Sequence, residues 1–376
     1  MQFQSFLIDA LEKRRTLNTL RSLTTTHHLI DFTSNDYLGF ASSPALQTDI
    51  LNAFMSTRTT VGATGSRLLT GHSQQYEDLE QKIADYHGME SSLIFNTGYT
   101  ANLGLLYALA TPQDRVLHDI HIHASIYDGI RLSKAKSFPF KHNNMQHLQQ
   151  RLAVPYSGRT FVCVESVYSL HGSLAPLDTI CELCETYSAA LIVDEAHAVG
   201  VFGEQGEGLV SSLGLQDRVL ATLYTFSKAL GTHGAAIAGS ALLKEYLINF
   251  CRPFIYTTAQ PAHALTAIDI AYTHNKRASS HRKYLTHLID YFRKQACDQH
   301  IQLLKDNAAT PIQSICVCGS ARVRNIANKL QQEGYNVRPI VSPTVKQKQE
   351  LLRICLHTFN TETEIQQLFN ILTQVL

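Results

Sequence analysis

An excess of charge of either sign is missing from this sequence: 32 basic and 31 acidic side chains leave a formal net charge of +1. Partners bound through many phosphates or anionic headgroups require a basic excess, so no nucleic acid and no membrane surface are expected. A small anionic substrate stays compatible, because it needs only a few placed cations. Uninterrupted apolar runs of about 18–20 residues, the length that spans a bilayer, are missing too. The N-terminus carries Glu12, Lys13, Arg14 and Arg15 after a short apolar stretch. It lacks the apolar core and small-residue cleavage site of a secretory signal, and a soluble cytoplasmic protein is expected. Neither G-x-x-x-x-G-K-[ST] nor G-x-G-x-x-G occurs, which argues against ATP or NAD use. Internal repeats, coiled-coil heptads and low-complexity tracts are likewise absent.

Cysteine is present eight times, but without convincing metal-site spacing. Cys181 and Cys184 share helical spacing with Ile180, Leu183 and Tyr187, so they read as small core residues. Cys316 and Cys318 alternate with Ile315 and Val317 and read as part of a buried strand. Free thiols of this kind suit a reducing compartment.

With 44% hydrophobic residues the chain has material for a large core and a smaller one. Residues 1–23 read as a helix and 29–33 as an extended piece. From about residue 73 helices alternate with strands at 92–96, 115–119, 137–141, 159–165, 190–194, 219–226 and 235–240. This alternation predicts an α/β fold, a mostly parallel sheet covered by helices. Residues 245–300 read as largely helical. Strands at 312–317, 335–340 and 351–357, with helices 321–332 and 361–375, predict a smaller α+β domain. The expected division is 1–45 (N-terminal helix and extended segment), 46–275 (large domain) and 276–376 (small domain).

Ligands of such sheets collect beyond the carboxyl ends of the strands, and four motifs fall there. Asp194 closes an apolar run, with His197 three residues on. It is either a structural cap or the partner of a protonated heterocyclic nitrogen, since a buried carboxylate needs donors or a cation. Lys228, in Tyr224-Thr225-Phe226-Ser227-Lys228-Ala229-Leu230-Gly231, is either a surface lysine or a desolvated amine suited to forming a Schiff base with an aldehyde. Gly98 opens a helix directly after a strand, in Asn96-Thr97-Gly98-Tyr99, where free backbone N–H groups suit a phosphate. His123 follows a strand in His121-Ile122-His123-Ala124-Ser125. Zinc ligands at suitable spacing from it are not found.

Together Asp194-Glu195-Ala196-His197, Thr225-Phe226-Ser227-Lys228, His123-Ala124-Ser125, Ser34-Asn35-Asp36-Tyr37-Leu38-Gly39 and Gly65-Ser66-Arg67 resemble the α-oxoamine synthases, nearly end to end and in order. The resemblance implies the fold of type I pyridoxal-phosphate transferases, a seven-stranded-type sheet, and pyridoxal 5'-phosphate as cofactor. It implies catalysis by Lys228, Asp194, His123 and His197. Lys228 would bind the cofactor and later act as base, Asp194 would pair with the pyridine nitrogen, and His123 would stack on the ring. His197 and Ser169 would bond its phenolic oxygen. The Gly98 and Tyr99 amides and the Thr225 hydroxyl would hold the phosphate. Thr257 or Thr258 would reach a phosphate in the other subunit of a homodimer with a shared site. Arg353, with Asn35 nearby, would bind the amino-acid carboxylate, and Arg21 would contact the acyl-chain end.

Ser66-Arg67-Leu68-Leu69-Thr70-Gly71-His72 and the short N-terminus resemble the branch that joins L-alanine to a pimeloyl thioester, on coenzyme A or an acyl carrier protein, in biotin synthesis. The sister branches are the 2-amino-3-ketobutyrate ligases, 5-aminolevulinate synthases and sphingolipid-type synthases such as serine palmitoyltransferase. A non-catalytic binding protein on this fold has no need for the lysine, aspartate and histidine together. Two positions depart from the family: His171 replaces an aspartate, and Thr64 replaces a glycine where a positive φ would strain any other residue.

Overall fold

Apolar runs bounded by turn residues become the strands of one seven-stranded sheet in the computed structural model, which describes residues 2–26, 28–56 and 60–376. The strands are β1 (Ser91–Phe95), β2 (Arg115–Asp119), β3 (Lys136–Phe140), β4 (Thr160–Glu165), β5 (Ala190–Asp194), β6 (Ala221–Thr225) and β7 (Ala235–Gly239). Their order is β1-β7-β6-β5-β4-β2-β3. Only β7 runs antiparallel to its neighbours. Every residue of β1, β2, β4 and β6 is buried, as a sheet covered on both faces requires. Edge strand β3 is largely exposed and holds Pro139, a residue that cannot donate to a ladder on both sides. This is the expected α/β fold, a mostly parallel sheet covered by helices.

The helices start and stop where local chemistry dictates. Thr97 caps Gly98–Leu109 by accepting from the Thr100 amide at 3.1 Å. Gly88, at φ 65°, ends Gln74–His87 in the left-handed conformation. A helix at Pro44–Ser56 lies outside the sequence expectation. Its signals are Ser43, whose hydroxyl accepts from the Leu46 amide at 3.3 Å, and proline at the first position. The sheet's core joins Leu93, Cys163, Ile192, Leu223 and Ile237 to Leu105 and Ile126 of two covering helices.

The chain divides into two units. One comprises 36–169 and 174–283, and the other the described residues up to Asn35 with Leu170–Ser173 and Tyr284–Leu376. In the second unit Leu351–Cys355 lies between Arg338–Ile340 and Ile312–Cys316 in an antiparallel sheet. Ile30–Asp31 pairs parallel with Tyr335–Asn336. Helix Glu362–Val375 opens with a Thr361/Glu364 capping box.

Three expectations need correction. The first helix spans Gln2–Thr16, shorter than 1–23, because Asn18 turns left-handed at φ 53°. Cys316 and Cys318 are exposed, with sulfurs 4.0 Å apart. Ile315 and Val317 take the buried positions, so the two-residue period turns both thiols outward. Thr64 does not have a positive φ, so its side chain causes no backbone strain there. Cys181 and Cys184 are buried as expected.

Candidate active site

Because six of the seven strands are parallel, the ends of β1, β2, β4, β5 and β6 converge. There they surround a cavity of about 230 Å³ whose walls include Gly98, Tyr99, His123, Glu165, Asp194, His197, Thr225 and Lys228. Every residue expected to be catalytic is therefore in one place.

Asp194, the last residue of β5, is 5% exposed. Its Oδ2 accepts from Asn102 Nδ2 at 2.7 Å and its Oδ1 from the Ala196 amide at 2.9 Å. These donors hold a carboxylate in place without neutralising it. Asn102 also donates to Ser125 Oγ at 3.0 Å. It projects from the first turns of the helix that Gly98 opens, one turn beyond the residues assigned to the phosphate. A buried amide on a mostly apolar helix is the signal by which sequence reading could have found it.

Lys228 sits in the turn after β6. Its Nζ lies 2.8 Å from His197 Nε2, and His197 Nδ1 lies 2.7 Å from the hydroxyl of Tyr37. Tyr37 is fully buried, and in the sequence it stands out only as part of the turn motif Ser34–Gly39. His123 caps the helix Ala124–Ser133, its Nδ1 2.8 Å from Ser125 Oγ. Crowding by protein lowers its imidazole pKa; Asp194 opposes this, and Lys228 adds to it.

Gly98 leaves the helix start open. A Cβ there would come 2.5 Å from Thr225 Cγ2, inside van der Waals contact. Thr225 itself donates to the Ala196 carbonyl at 3.3 Å. An anchored carboxylate, an amine, two imidazoles and a helix N-terminus opened by Gly98 together fit pyridoxal phosphate: a basic ring nitrogen, an aldehyde, a planar ring and a phosphate.

Not every expected residue lines this cavity. Ser169 stands behind it, its amide donating to Glu165 Oε2 at 3.1 Å. Thr257 and Thr258 lie beside β1. Asn96 Nδ2 donates to Thr257 Oγ1 at 3.3 Å and to the Thr258 carbonyl at 2.9 Å. In the other unit Arg353 donates to Asn35 Oδ1 at 2.8 Å. Arg21 lines a separate cavity of about 640 Å³ with Arg324 and Arg338. The carbonyl of His171 accepts from Asn307 Nδ2 at 2.6 Å.

A parallel sheet with a lysine, an aspartate and two histidines at its strand ends defines a pyridoxal-phosphate transferase of type I. The aminotransferase class I and II family model matches residues 27–372, and the chain belongs to that family and, within it, to the α-oxoamine synthases. It is 38% identical over 346 residues to 8-amino-7-oxononanoate synthase of Cellvibrio japonicus, covering 92% of this chain and 86% of that one. The solved structure of 8-amino-7-oxononanoate synthase from Francisella tularensis is 31% identical, with a TM-score of 0.80, covering 92% of this chain and 97% of that one. Serine palmitoyltransferase from S. paucimobilis, solved with bound PLP-myriocin, superposes with a TM-score of 0.89 at 25% identity, covering 98% and 96% of the two chains.

Proposed function

We propose that this chain performs the 8-amino-7-oxononanoate synthase reaction with pyridoxal 5'-phosphate as cofactor. L-Alanine condenses with a pimeloyl thioester, carried by coenzyme A or an acyl carrier protein, and carbon dioxide and the free thiol leave. The observation that carries this reading is Lys228 Nζ against His197 in a cavity whose floor is the anchored Asp194. The relatives at 38% and 31% identity favour this branch over the sister activities.

When bound, the cofactor supplies an electron sink for the charge left at the α-carbon of alanine. Lys228 would tether it through Nζ and would be the base that takes the α-proton of the amino acid. Asp194 would hold a proton on the pyridine nitrogen, and His123 would pack against the ring. His197 would bond the phenolic oxygen, with Ser169 joining it from behind the cavity wall. The Gly98 and Tyr99 amides and Thr225 would bind the phosphate, joined by Thr257 or Thr258 from the other subunit of a homodimer. The exposed apolar side chains of Met55, Val61 and Leu69 support such a homodimer. Arg353, held by Asn35, takes the carboxylate of alanine, for which a guanidinium fork is well shaped. Arg21 contacts the end of the acyl chain. Eight free cysteines support a cytoplasmic location.

A substrate panel on the purified yellow protein decides the reading. Alanine with pimeloyl thioester is expected to release thiol fastest. A panel won by glycine with succinyl or acetyl thioester moves the protein to a sister branch. Lys228→Ala is expected to lose the visible band of the bound cofactor; a band that survives unchanged overturns the site.

A further inference from the structure

Glu165 is a second buried carboxyl in the cavity, and none of the roles above uses it. It closes β4, and the strand register sets it directly beside Asp194 on β5. It is 2% exposed. Two carboxyl groups side by side and out of water do not both stay ionised, because each charge raises the cost of the other. Their surroundings separate them. Asp194 receives two hydrogen bonds, from Asn102 and Ala196. Glu165 receives one, from the Ser169 amide on Oε2, while its Oε1 is buried with no hydrogen-bond partner. The charged and titratable groups that face it are Asp194 on β5, Asp119 on β2, Tyr168 on the following loop and Lys228 across the cavity. Burial and then Asp194 push its pKa well above the usual carboxylate range; Lys228 and the Ser169 amide pull the other way.

We propose that Glu165 is a neutral carboxylic acid in the working enzyme and that its Oε1–H donates a hydrogen bond to an oxygen of the bound cofactor or substrate, between Asp194 and Ser169. The arrangement divides the labour of two acids. Asp194 is the single anion, free to balance a protonated ring nitrogen. Glu165 adds a donor without adding a second negative charge, and its Oε2 fixes the Ser169 amide. A buried oxygen without a partner is costly unless a ligand completes it, and Glu165 is one of the residues that line the cavity. The inference rests on the cofactor occupying this cavity.

Infrared difference spectra of the protein with pyridoxal phosphate, wild type against Glu165→Gln, read the protonation state directly. The carbonyl stretch of a protonated carboxyl is expected at neutral pH in the wild type and absent from the variant; ionised-carboxylate stretches in its place overturn the proposal. A titration of the cofactor band reads the hydrogen bond. Glu165→Gln, which keeps a neutral donor, is expected to bind pyridoxal phosphate within about threefold of wild type. Glu165→Ala is expected to bind it about tenfold or more weakly. Equal binding by Glu165→Ala overturns the donor role. The pH midpoint of the band separates the charge states again. It stays within about 0.3 units in Glu165→Gln if the acid is neutral, and falls by about a unit or more if an anion has been removed. Absence of any cofactor band in wild type removes the site assignment itself, an outcome distinct from all of these.

Discussion

The chain of contacts from Tyr37 through His197 to Lys228 sets what each group can do. For His197 to present Nε2–H to a ligand oxygen, its Nδ1 must accept a hydrogen bond, and the Tyr37 hydroxyl is placed 2.7 Å away to donate one. Tyr37→Phe removes that donor in a buried place. It is expected to lower stability by about 1–3 kcal/mol and to redistribute the ring's tautomers, seen in the nitrogen shifts of His197 by NMR. Unchanged shifts and an unchanged denaturation midpoint would dismiss the role. Glu195, next to Asp194, is fully buried, and burial raises its pKa from 4.5 to about 7. A raised acid favours the folded state while protonated. Its contribution is whole below pH 4.5 and is lost as the pH rises to about 7, by an amount on the order of 3 kcal/mol. Urea unfolding across this window is expected to show that decline in wild type and not in Glu195→Gln; parallel profiles would contradict it.

At the scale of elements, the site depends on helices that begin immediately after strands. The start of Gly98–Leu109 is open only because no Cβ stands between it and Thr225. Gly98→Ala is expected to push Thr225 aside and weaken pyridoxal phosphate binding by about tenfold or more, with Lys228 still reactive toward free aldehydes. Binding equal to wild type, measured by absorption titration, would place the phosphate elsewhere. Most element positions were legible in the sequence, since caps and two-residue or helical periods are local signals: β2 and β5 match their expected limits residue for residue. The helix Pro44–Ser56 was missed because its neighbouring Ser-Asn-Asp turn dominates the local pattern. The π-turn Arg67–Gly71 was missed because long-range contacts hold it. Arg67 pairs with Glu80 and lies 3.9 Å from the centre of the Tyr76 ring, and neither partner is visible in the local pattern.

At the scale of the whole molecule, the residue proposed to bind the amino-acid carboxylate belongs to the second unit. Arg353 is held by Asn35 across a separation of 318 positions. Arg353→Ala is expected to raise the KM for alanine by about 10- to 100-fold, the worth of a charge-assisted pair, and to leave cofactor absorbance intact. Unchanged alanine kinetics would remove the assignment.

The sequence by itself determined which groups stand at strand ends: the amine at 228, the acid at 194, the imidazoles at 123 and 197 and the glycine at 98. A strand followed by a turn is a local pattern, and it places the residue after it regardless of the rest of the fold. Tertiary structure alone decided what those groups meet. Asn102 reaches Asp194 across 92 positions and Tyr37 reaches His197 across 160. Glu165 lies beside Asp194 because β4 and β5 are neighbours in the sheet. Burial, partner and proton are properties of that packing, since they depend on distances between segments that no local period encodes.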